Sequence, residues 1–320
     1  DGPMSRGLGD VYKRQTIERP IIFNNNDRPG IMLSNSAKKY LNKYGVAPGK
    51  NLVFFTNNDS AYETAIDFFE QGIKVEAIVD TRDGSDGYYP KKANKLGITI
   101  LKGYEISDTV GRLKIREVKL RKIKTENNNE KSSINIKCDL LAIAGGWTPT
   151  VHLFTQSKGK LKFRDVDGSF IPNEVYQDTL CVGSCNGDYN LNEILIKTQE
   201  DTYKYLNNRQ NELDEVNYKS DNVKHGKHEN VWITSKNSIS RTKMFVDFQN
   251  DVTAKDIKLA LKEGFQSIEH VKRYTTTGMA TDQGKTSNVN ALGIISELTN
   301  TEISELGTTT FRLPYKPVTV

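Results

Sequence analysis

Residues 51–80, NLVFFTNNDSAYETAIDFFEQGIKVEAIVD, constrain the fold more than any other part of the sequence. The short apolar run at 52–55 is typical of a buried strand. Apolar residues then recur at helical spacing until Gly72, and a second apolar run at 75–79 ends on Asp80. This pattern predicts a β-α-β unit with parallel strands and a right-handed crossover, which places the chain in the α/β class.

The turn between the first strand and the helix lacks the usual dinucleotide fingerprint. A Gly-x-Gly-x-x-Gly turn would let the backbone approach a pyrophosphate. Residues 56–61 read TNNDSA instead, and Asp59 adds a negative charge. Asp80 nevertheless stands where an acidic side chain would bind a ribose hydroxyl. Two interpretations remain, NAD at this turn or a degenerate half-fold kept for architecture, and the missing glycines favour the second.

Two later segments resemble parts of the two-dinucleotide-binding (FAD/NAD(P)-binding, Rossmann-like) flavoprotein fold. In LLAIAGGWTPTVHL a strand ends at Gly145-Gly146, and the spacing to Pro149 fits the segment that crosses between the two nucleotide domains. TLCVGSCNG resembles the later strand and turn whose backbone comes near the dinucleotide. Neither motif is specific alone.

The remaining sequence divides into recognisable regions. GITILKG, RLKIREVKLRKIK and INIKCDLLAIAGG alternate apolar and polar residues, which predicts a half-buried meander. A helix is predicted from about Leu191. We assign a truncated FAD/NAD(P)-binding domain to 16–205, a polar linker to 206–231 and a small helical domain to 232–311.

The helical domain is predicted from its capping signals. Thr253 is a good N-cap with Asp256 at the capping-box position, and Ser267 caps a second, shorter helix. A third helix is predicted in SNVNALGIISELTN, with Leu292, Ile295 and Leu298 on one face.

Composition excludes several classes of function. The 45 basic and 40 acidic residues leave a net charge of +5, too dispersed to indicate nucleic-acid binding. Three cysteines cannot form a disulfide framework, so we expect a reducing, cytoplasmic compartment. No apolar run is long enough to span a bilayer. Residues 1–15 lack the apolar core of a secretory signal, and we interpret them as a non-native leader.

The cysteines and histidines form no convincing metal site. The four histidines lack ligand spacing, and His225 and His228 fall in the predicted flexible linker, so zinc is not expected. Cys181 and Cys185 are separated by three residues in a strand-turn context. We interpret them as small buried thiols, with a redox pair as the alternative.

Three segments of the sequence carry a family resemblance: RPIIFNNNDRPGIMLSNSAKKYLNKYGVAPGKNLVFFTNNDSAYETA, CDLLAIAGGWTPTVHL and FVDFQNDVTAKDIKLALKEGFQSIEHVKRYTTTGMATDQGKTSN. Together they resemble the alpha subunit of heterotetrameric sarcosine oxidase. The resemblance covers residues 18–320 and implies a middle fragment of a longer subunit. It places the glycine-rich fingerprint and a ferredoxin-like domain upstream. A folate-binding aminomethyltransferase-like domain would begin at 312–320.

The helical domain is also similar to small iron–sulfur domains of related amine and opine oxidases. Where the cluster-binding versions show Cys-Gln-Gly, this chain has Asp282-Gln283-Gly284, and Ser287 stands for the neighbouring cysteine. Because cluster ligation needs thiolates, we expect a cysteine-free frame without iron that serves as a docking surface.

The resemblance implies a division of labour among subunits. The beta subunit would carry FAD and FMN and oxidise sarcosine, with peroxide as a product and the one-carbon unit passing to tetrahydrofolate in the missing alpha-subunit domain. The alpha subunit's own site resembles one that holds NAD without turning it over, which puts Asp80 in doubt as a ribose ligand. The implied partners are the beta, gamma and delta subunits. The candidate NAD contacts are Gly183, Ser184, Asn186, Gly187, Leu191 and Glu193.

The chain itself shows no general base, nucleophile or metal-ligand set. We therefore expect the fragment alone to lack activity, flavin colour, iron and zinc. Two other interpretations stay open. One is a related enzyme, such as a dye-linked dehydrogenase for N-methylated amino acids or an opine or cyanide-forming glycine oxidase. The other is a non-catalytic scaffold that organises flavin subunits.

Overall fold

The computed structural model describes residues 16–123, 133–205, 225–309 and 311–312. The predicted leader at 1–15, most of the predicted linker and the stretch from 313 onward lie outside the described residues. Among the residues that are described, no helix is both long and apolar enough to cross a membrane.

The described part of the chain alternates strands and helices in its first half and is mainly helical after residue 253. The strands are β1 (Thr16–Glu18), β2 (Ile31–Leu33), β3 (Asn51–Thr56), β4 (Lys74–Asp80), β5 (Ile100–Lys102), β6 (Tyr104–Val110), β7 (Glu117–Lys122), β8 (Ser133–Lys137), β9 (Leu140–Ala144), β10 (Trp147–Pro149), β11 (Lys160–Arg164), β12 (Ser169–Glu174), β13 (Phe245–Asp247) and β14 (Val252–Thr253). The α-helices are α1 (Ser34–Tyr44), α2 (Ser60–Glu70), α3 (Tyr88–Lys95), α4 (His152–Gln156), α5 (Leu191–Tyr205), α6 (Ala254–Lys262), α7 (Ile268–Thr275), α8 (Asn288–Thr299) and α9 (Ile303–Leu306).

The centre of the first half is a five-stranded sheet with the order β2-β9-β3-β4-β5. All four strand pairs are parallel. The predicted β-α-β unit is confirmed as β3-α2-β4, and α2 ends just before Gly72, which adopts a left-handed φ of 74°. The predicted α/β class is therefore correct.

The meander prediction was right for its middle and wrong at both ends, because GITILKG contributes β5 to the central parallel sheet and β6 was not predicted. β6, β7 and β8 form a three-stranded antiparallel sheet. The run INIKCDLLAIAGG, however, divides at residues 138–139: its first part is β8, and LLAIA leaves for the central sheet as β9. β9 is buried at every position because β2 and β3 flank it on both edges.

Two layers cover the central sheet, one on each face. One face packs against α1, α2 and α3 through side chains such as Phe54, Phe68 and Ile78. The opposite face packs against the antiparallel sheet through Val53, Phe55 and Val118. Burial on both faces explains why the strands read as continuous apolar runs and do not alternate.

The second half of the chain forms the predicted helices. α6 begins after Thr253, whose backbone N–H and hydroxyl both donate to Asp256 Oδ2, at 2.9 and 2.7 Å. α7 follows Ser267 as predicted. On α8, Leu292 and Ile295 are buried, whereas Leu298 remains 36% exposed at the far end of the helix.

The helical region is joined tightly to the first half. Ile22 exchanges backbone hydrogen bonds with the 232–234 segment: its N–H donates to Trp232 O at 2.9 Å, and Thr234 N–H donates to its carbonyl at 2.8 Å. Ile22 and Phe170 also belong to the apolar core of the helices. The two halves therefore share a core across the predicted boundary.

Two elements differ from the sequence-based expectation around residues 160–187. TLCVGSCNG forms no strand; its second half is a 3₁₀ turn at Gly183–Asn186. Gly183 has a φ of 77°, which is incompatible with continued extended backbone. The antiparallel hairpin of β11 and β12 was not predicted, although its Asp167-Gly168 tip is a recognised hairpin signal.

Candidate functional site

The carboxyl edge of the parallel sheet is where nucleotides bind in open α/β folds. β3, β4 and β9 end there at Thr56, Asp80 and Ala144. The two candidate sites of the sequence analysis can be compared directly: the edge itself, with Asp80, and the turn at 183–187.

Asp80 is fully buried and its carboxylate is already occupied. Oδ2 accepts from Arg82 Nη2 at 2.7 Å and from Tyr62 Oη at 2.7 Å, and Oδ1 accepts from Arg82 N–H at 3.0 Å and Nε at 2.9 Å. Burial and the neighbouring Asp80 charge raise the pKa of Tyr62, which keeps this phenol protonated as a donor. A ribose hydroxyl would have to displace these partners.

Arg82 is the hub of this edge, and the sequence analysis missed it. Its Nη1 lies 2.9 Å from Asp59 Oδ1 and also donates to Lys227 O at 2.8 Å. Burial alone would lower the pKa of Arg82, but the hydrogen bonds and charges of Asp80 and Asp59 raise it overall. The negative charge that Asp59 brings to the turn is thus neutralised inside the protein.

Residues 226–229 close the remainder of the sheet edge. Asn57 Nδ2 donates to Glu229 O at 2.7 Å, and Glu229 N–H returns a bond to Asn57 O at 3.2 Å. Gly226 N–H donates to Asp59 Oδ2 at 2.6 Å. The chain itself fills the position that a pyrophosphate would take at this turn.

Because residues 226–229 are bonded to the sheet edge, the prediction that His228 lies in a flexible linker was wrong. His228 Nε2 is shielded from solvent. Burial and the positive charge of Arg19 lower the pKa of His228 to about 3, so the imidazole is neutral at physiological pH. His225, by contrast, is exposed.

The structure gathers the predicted NAD contacts around one turn. Gly183 opens it and is buried, Ser184 and Asn186 are half-buried, and Gly187 ends it with a φ of 80°. The turn packs against β10 and β12.

Gly187 lies against a cation that the sequence analysis did not identify. Arg164 Nη2 donates to Gly187 O at 2.8 Å, and Arg164 also pairs with Asp167. A β-carbon on Gly187 would lie 2.3 Å from Arg164 Nη2. The position favours glycine for its left-handed φ, and any side chain there would displace the Arg164 guanidinium. The hairpin signal at Asp167-Gly168 could have pointed to this contact.

Helix α5 presents Leu191 and Glu193 on its first turn, and both are exposed. Asn190 caps this helix, because its Oδ1 accepts from Asn192 N–H at 3.0 Å and Glu193 N–H at 3.4 Å. Two of the backbone N–H groups at the N-terminus of this helix therefore already donate to Asn190 and are not open to a ligand. An anion near this turn would depend on Arg164 and on the turn's own backbone.

Cys181 precedes this turn and Cys185 lies within it, and both are half-buried, so their interpretation as buried thiols was wrong. Cys138, on the loop before β9, is the buried one, and burial raises its pKa to about 12.

The cysteine-free frame of the helical region is held by hydrogen bonds. Asp247 Oδ2 accepts from Gly278 N–H at 2.7 Å, Gly284 N–H donates to Asp282 Oδ1 at 3.1 Å, and Ser287 is buried. Within the described ranges, no three His, Cys, Asp or Glu side chains converge to hold a metal ion.

Comparisons with known proteins point to one family. The family description "Sarcosine oxidase A3 domain" matches residues 241–320. The chain is 35% identical over 301 residues to the sarcosine oxidase subunit alpha of Rhizobium meliloti (strain 1021), a match that covers 94% of this chain and 29% of the relative. It is 32% identical over 336 residues to the subunit of the same name from Corynebacterium sp. (strain U-96), covering 99% of this chain and 34% of that relative.

The chain thus spans 29% to 34% of the length of these relatives. Among solved structures, L-proline dehydrogenase from P. horikoshii superimposes with a TM-score of 0.64 at 18% identity, over 96% of this chain and 56% of that one. This likeness bears on the fold alone and agrees with the predicted two-dinucleotide-binding class. The chain belongs to the family of sarcosine oxidase alpha subunits, and its residues from 241 onward carry the A3 domain of that family.

Proposed function

We propose that this chain is part of the alpha subunit of a multi-subunit sarcosine oxidase. That complex would demethylate sarcosine oxidatively to glycine, with peroxide as a product and transfer of the one-carbon unit to tetrahydrofolate. FAD and FMN would be carried by the beta subunit. The proposal rests on the identity to curated alpha subunits across nearly the whole chain.

Within this chain, we propose that NAD is held by the turn at 183–187 and the start of α5. The observation that carries this assignment is the contrast between the two candidate sites. Asp80 has its carboxylate filled by Arg82 and Tyr62, whereas the turn carries half-buried Ser184 and Asn186 beside Arg164. A guanidinium at this position suits a diphosphate, because charge-assisted hydrogen bonds to phosphate oxygens are strong.

The side chains around this turn fit NAD, and Glu193 is the one anionic group among the proposed contacts. Ser184 and Asn186 would contact the pyrophosphate–ribose region, and Leu191 would cover apolar surface. Glu193 is anionic, so it would face ribose hydroxyls or water. NAD would supply a bound, non-reacting dinucleotide that orders this end of α5.

NAD retention by variants of the assembled complex tests the assignment. Gly187→Ala forces a β-carbon into Arg164, so we expect NAD released from the denatured complex to fall at least about tenfold relative to wild type, as for loss of a charge-assisted contact. Asp80→Asn should leave the NAD content unchanged. The content is measured by chromatography of the released nucleotide.

Gly97→Ala provides the matched control. Gly97 has a similar φ of 79°, but a β-carbon there would meet nothing within 4 Å. It imposes the same backbone strain at a site remote from the turn. Loss of NAD from Asp80→Asn together with retention by Gly187→Ala would reverse the assignment to the sheet edge.

We also propose that the helical region docks the flavin-bearing beta subunit. It exposes several large apolar side chains: Phe248, Leu259, Tyr274 and Met279. Phe248 and Met279 lie on adjoining loops, since Asp247 accepts from Gly278 N–H. Met279→Glu should reduce co-purification of the beta subunit, whereas Leu113→Glu, at an 83% exposed position of the first half, should not.

A further inference from the structure

The tip of the hairpin between β11 and β12 holds Arg164 in one orientation over the turn at 183–187. Asp167 accepts two hydrogen bonds from Arg164, from Nε to Oδ1 at 3.0 Å and from Nη2 to Oδ2 at 2.5 Å. Nη2 also donates to Gly187 O at 2.8 Å, and Tyr189 Oη donates to Asp167 Oδ2 at 3.2 Å. The Asp167 carboxylate is thus fixed against one edge of the guanidinium, in the side-by-side geometry that arginine and carboxylates favour.

This arrangement leaves one nitrogen of Arg164 without a partner. A guanidinium has five N–H groups, and the contacts with Asp167 and Gly187 use the one on Nε and the two on Nη2. The part of the chain that the structure describes supplies no acceptor for the two N–H groups of Nη1. Nη1 lies at the turn, 2.7 Å from the position of a β-carbon on Gly187, and the Arg164 side chain is 30% exposed. A free pair of donors therefore lies beside the proposed ligand.

The charges around Asp167 favour an anion next to Arg164. The Asp167 carbonyl accepts from Arg19 Nη2 at 3.1 Å, so two guanidiniums surround one carboxylate. Burial lowers the pKa of Arg19 to about 10, which keeps this group charged at neutral pH. Asp188 is paired with Lys197 at 2.6 Å and does not offset the excess. The excess around Asp167 is one positive charge, which a phosphate oxygen would balance.

We propose that Arg164 binds the diphosphate of NAD through Nη1, and that Asp167 is the positioning residue that orients it. This inference rests on the assignment of NAD to the turn at 183–187. Asp167 occupies the Nε–Nη2 edge, so Nη1 is the edge that faces a phosphate oxygen. Without that carboxylate the long arginine side chain would adopt several rotamers, and binding would have to order it.

Exchange of labelled NAD into the assembled complex tests the contact. Arg164→Ala should release NAD at least about tenfold faster than wild type, because a hydrogen bond between charged groups is lost. Salt screens exposed charges, so release from the wild type should become faster as salt is added, and Arg164→Ala should depend on salt less. Arg121→Ala is the matched control, since Arg121 pairs with Glu105 in the antiparallel sheet and its loss should leave the exchange rate unchanged.

A double-variant comparison tests the role of Asp167. Asp167→Asn should speed release by at least about threefold, because asparagine has one acceptor oxygen and cannot receive both N–H groups of the fork. In the Arg164→Ala background the same change should cause no further acceleration, since Asp167 acts only through Arg164. A merely structural role of Asp167 would accelerate release in both backgrounds.

The outcomes separate this inference from the NAD assignment itself. A wild-type exchange rate in Arg164→Ala, or equal acceleration by Asp167→Asn in both backgrounds, would overturn the inference. The assignment would survive either result if Gly187→Ala still loses NAD. A wild-type complex that contains no NAD would overturn the assignment, and this inference with it.

Discussion

Glu18 is a buried carboxylic acid whose ionisation the fold opposes. It is 4% exposed, and its Oε2 accepts from Asn35 N–H at 2.7 Å in the first turn of α1. Burial raises the pKa of Glu18 from its ordinary value of 4.5 to about 8, against the lowering effect of that hydrogen bond. Between these two values the folded protein holds a proton that the unfolded chain has lost. The free energy of unfolding therefore decreases as the pH rises through this window, by up to about 1.4 kcal/mol per pH unit.

Glu18→Gln should remove this pH dependence, because glutamine keeps an acceptor for Asn35 without a titrating proton. We expect the variant to match wild type below pH 4.5, where the carboxyl is protonated in both states, and to be more stable than wild type above pH 8. Urea unfolding on both sides of the window measures the difference. Equal stabilities of the two proteins at alkaline pH would show that Glu18 is ionised at little cost.

At the scale of single elements, α6 offers a clean test because its start is set by one carboxylate. Asp256 accepts both the N–H and the hydroxyl of Thr253. Asp256→Ala should destabilise the protein by about 1 kcal/mol, the usual effect of losing a cap. Lys255→Ala alters an exposed residue of the same turn and should change stability by less than about 0.5 kcal/mol. The midpoints of denaturant unfolding compare the two variants.

Elements with local signals were predictable, and those that depend on distant partners were not. β3-α2-β4 and α6 carry their periodicity and caps within the segment itself. TLCVGSCNG has the apolar residues of a strand, but Gly183 turns the backbone, and none of the strands that the structure describes pairs with it. The predicted site residues were gathered because they are close in sequence. Arg82 and Arg164 were missed because some of their partners, Lys227 and Gly187, lie far along the chain.

At the scale of the whole molecule, Trp232 joins the two halves. Arg19 lies over its ring at 4.9 Å on one side. A β-carbon on Gly293 of α8 would lie 2.2 Å from the same indole. The close approach of α8 to Trp232 is possible only because residue 293 has no side chain.

Gly293→Ala should therefore destabilise the protein, although alanine in a helix interior is ordinarily favoured by about 1 kcal/mol over glycine. The loss comes from displacement of Trp232, so the double variant Gly293→Ala with Trp232→Leu should show a smaller effect of the alanine than the single variant. Thermal unfolding of the wild type, the two single variants and the double variant measures the coupling free energy between residues 232 and 293. A stabilising effect of Gly293→Ala in the wild-type background would contradict the packing described here.

The closure of the sheet edge by residues 226–229 means that the first α/β unit is discontinuous in sequence. Its parallel sheet is formed by residues 31–144, but the segment that covers its carboxyl edge arrives from more than eighty residues later. A division of the gene within the polar stretch before residue 225 would separate Asp59 and Arg82 from their covering segment. A gene segment that encodes this half of the molecule therefore has to extend to Thr234, beyond the point where the composition of the sequence changes.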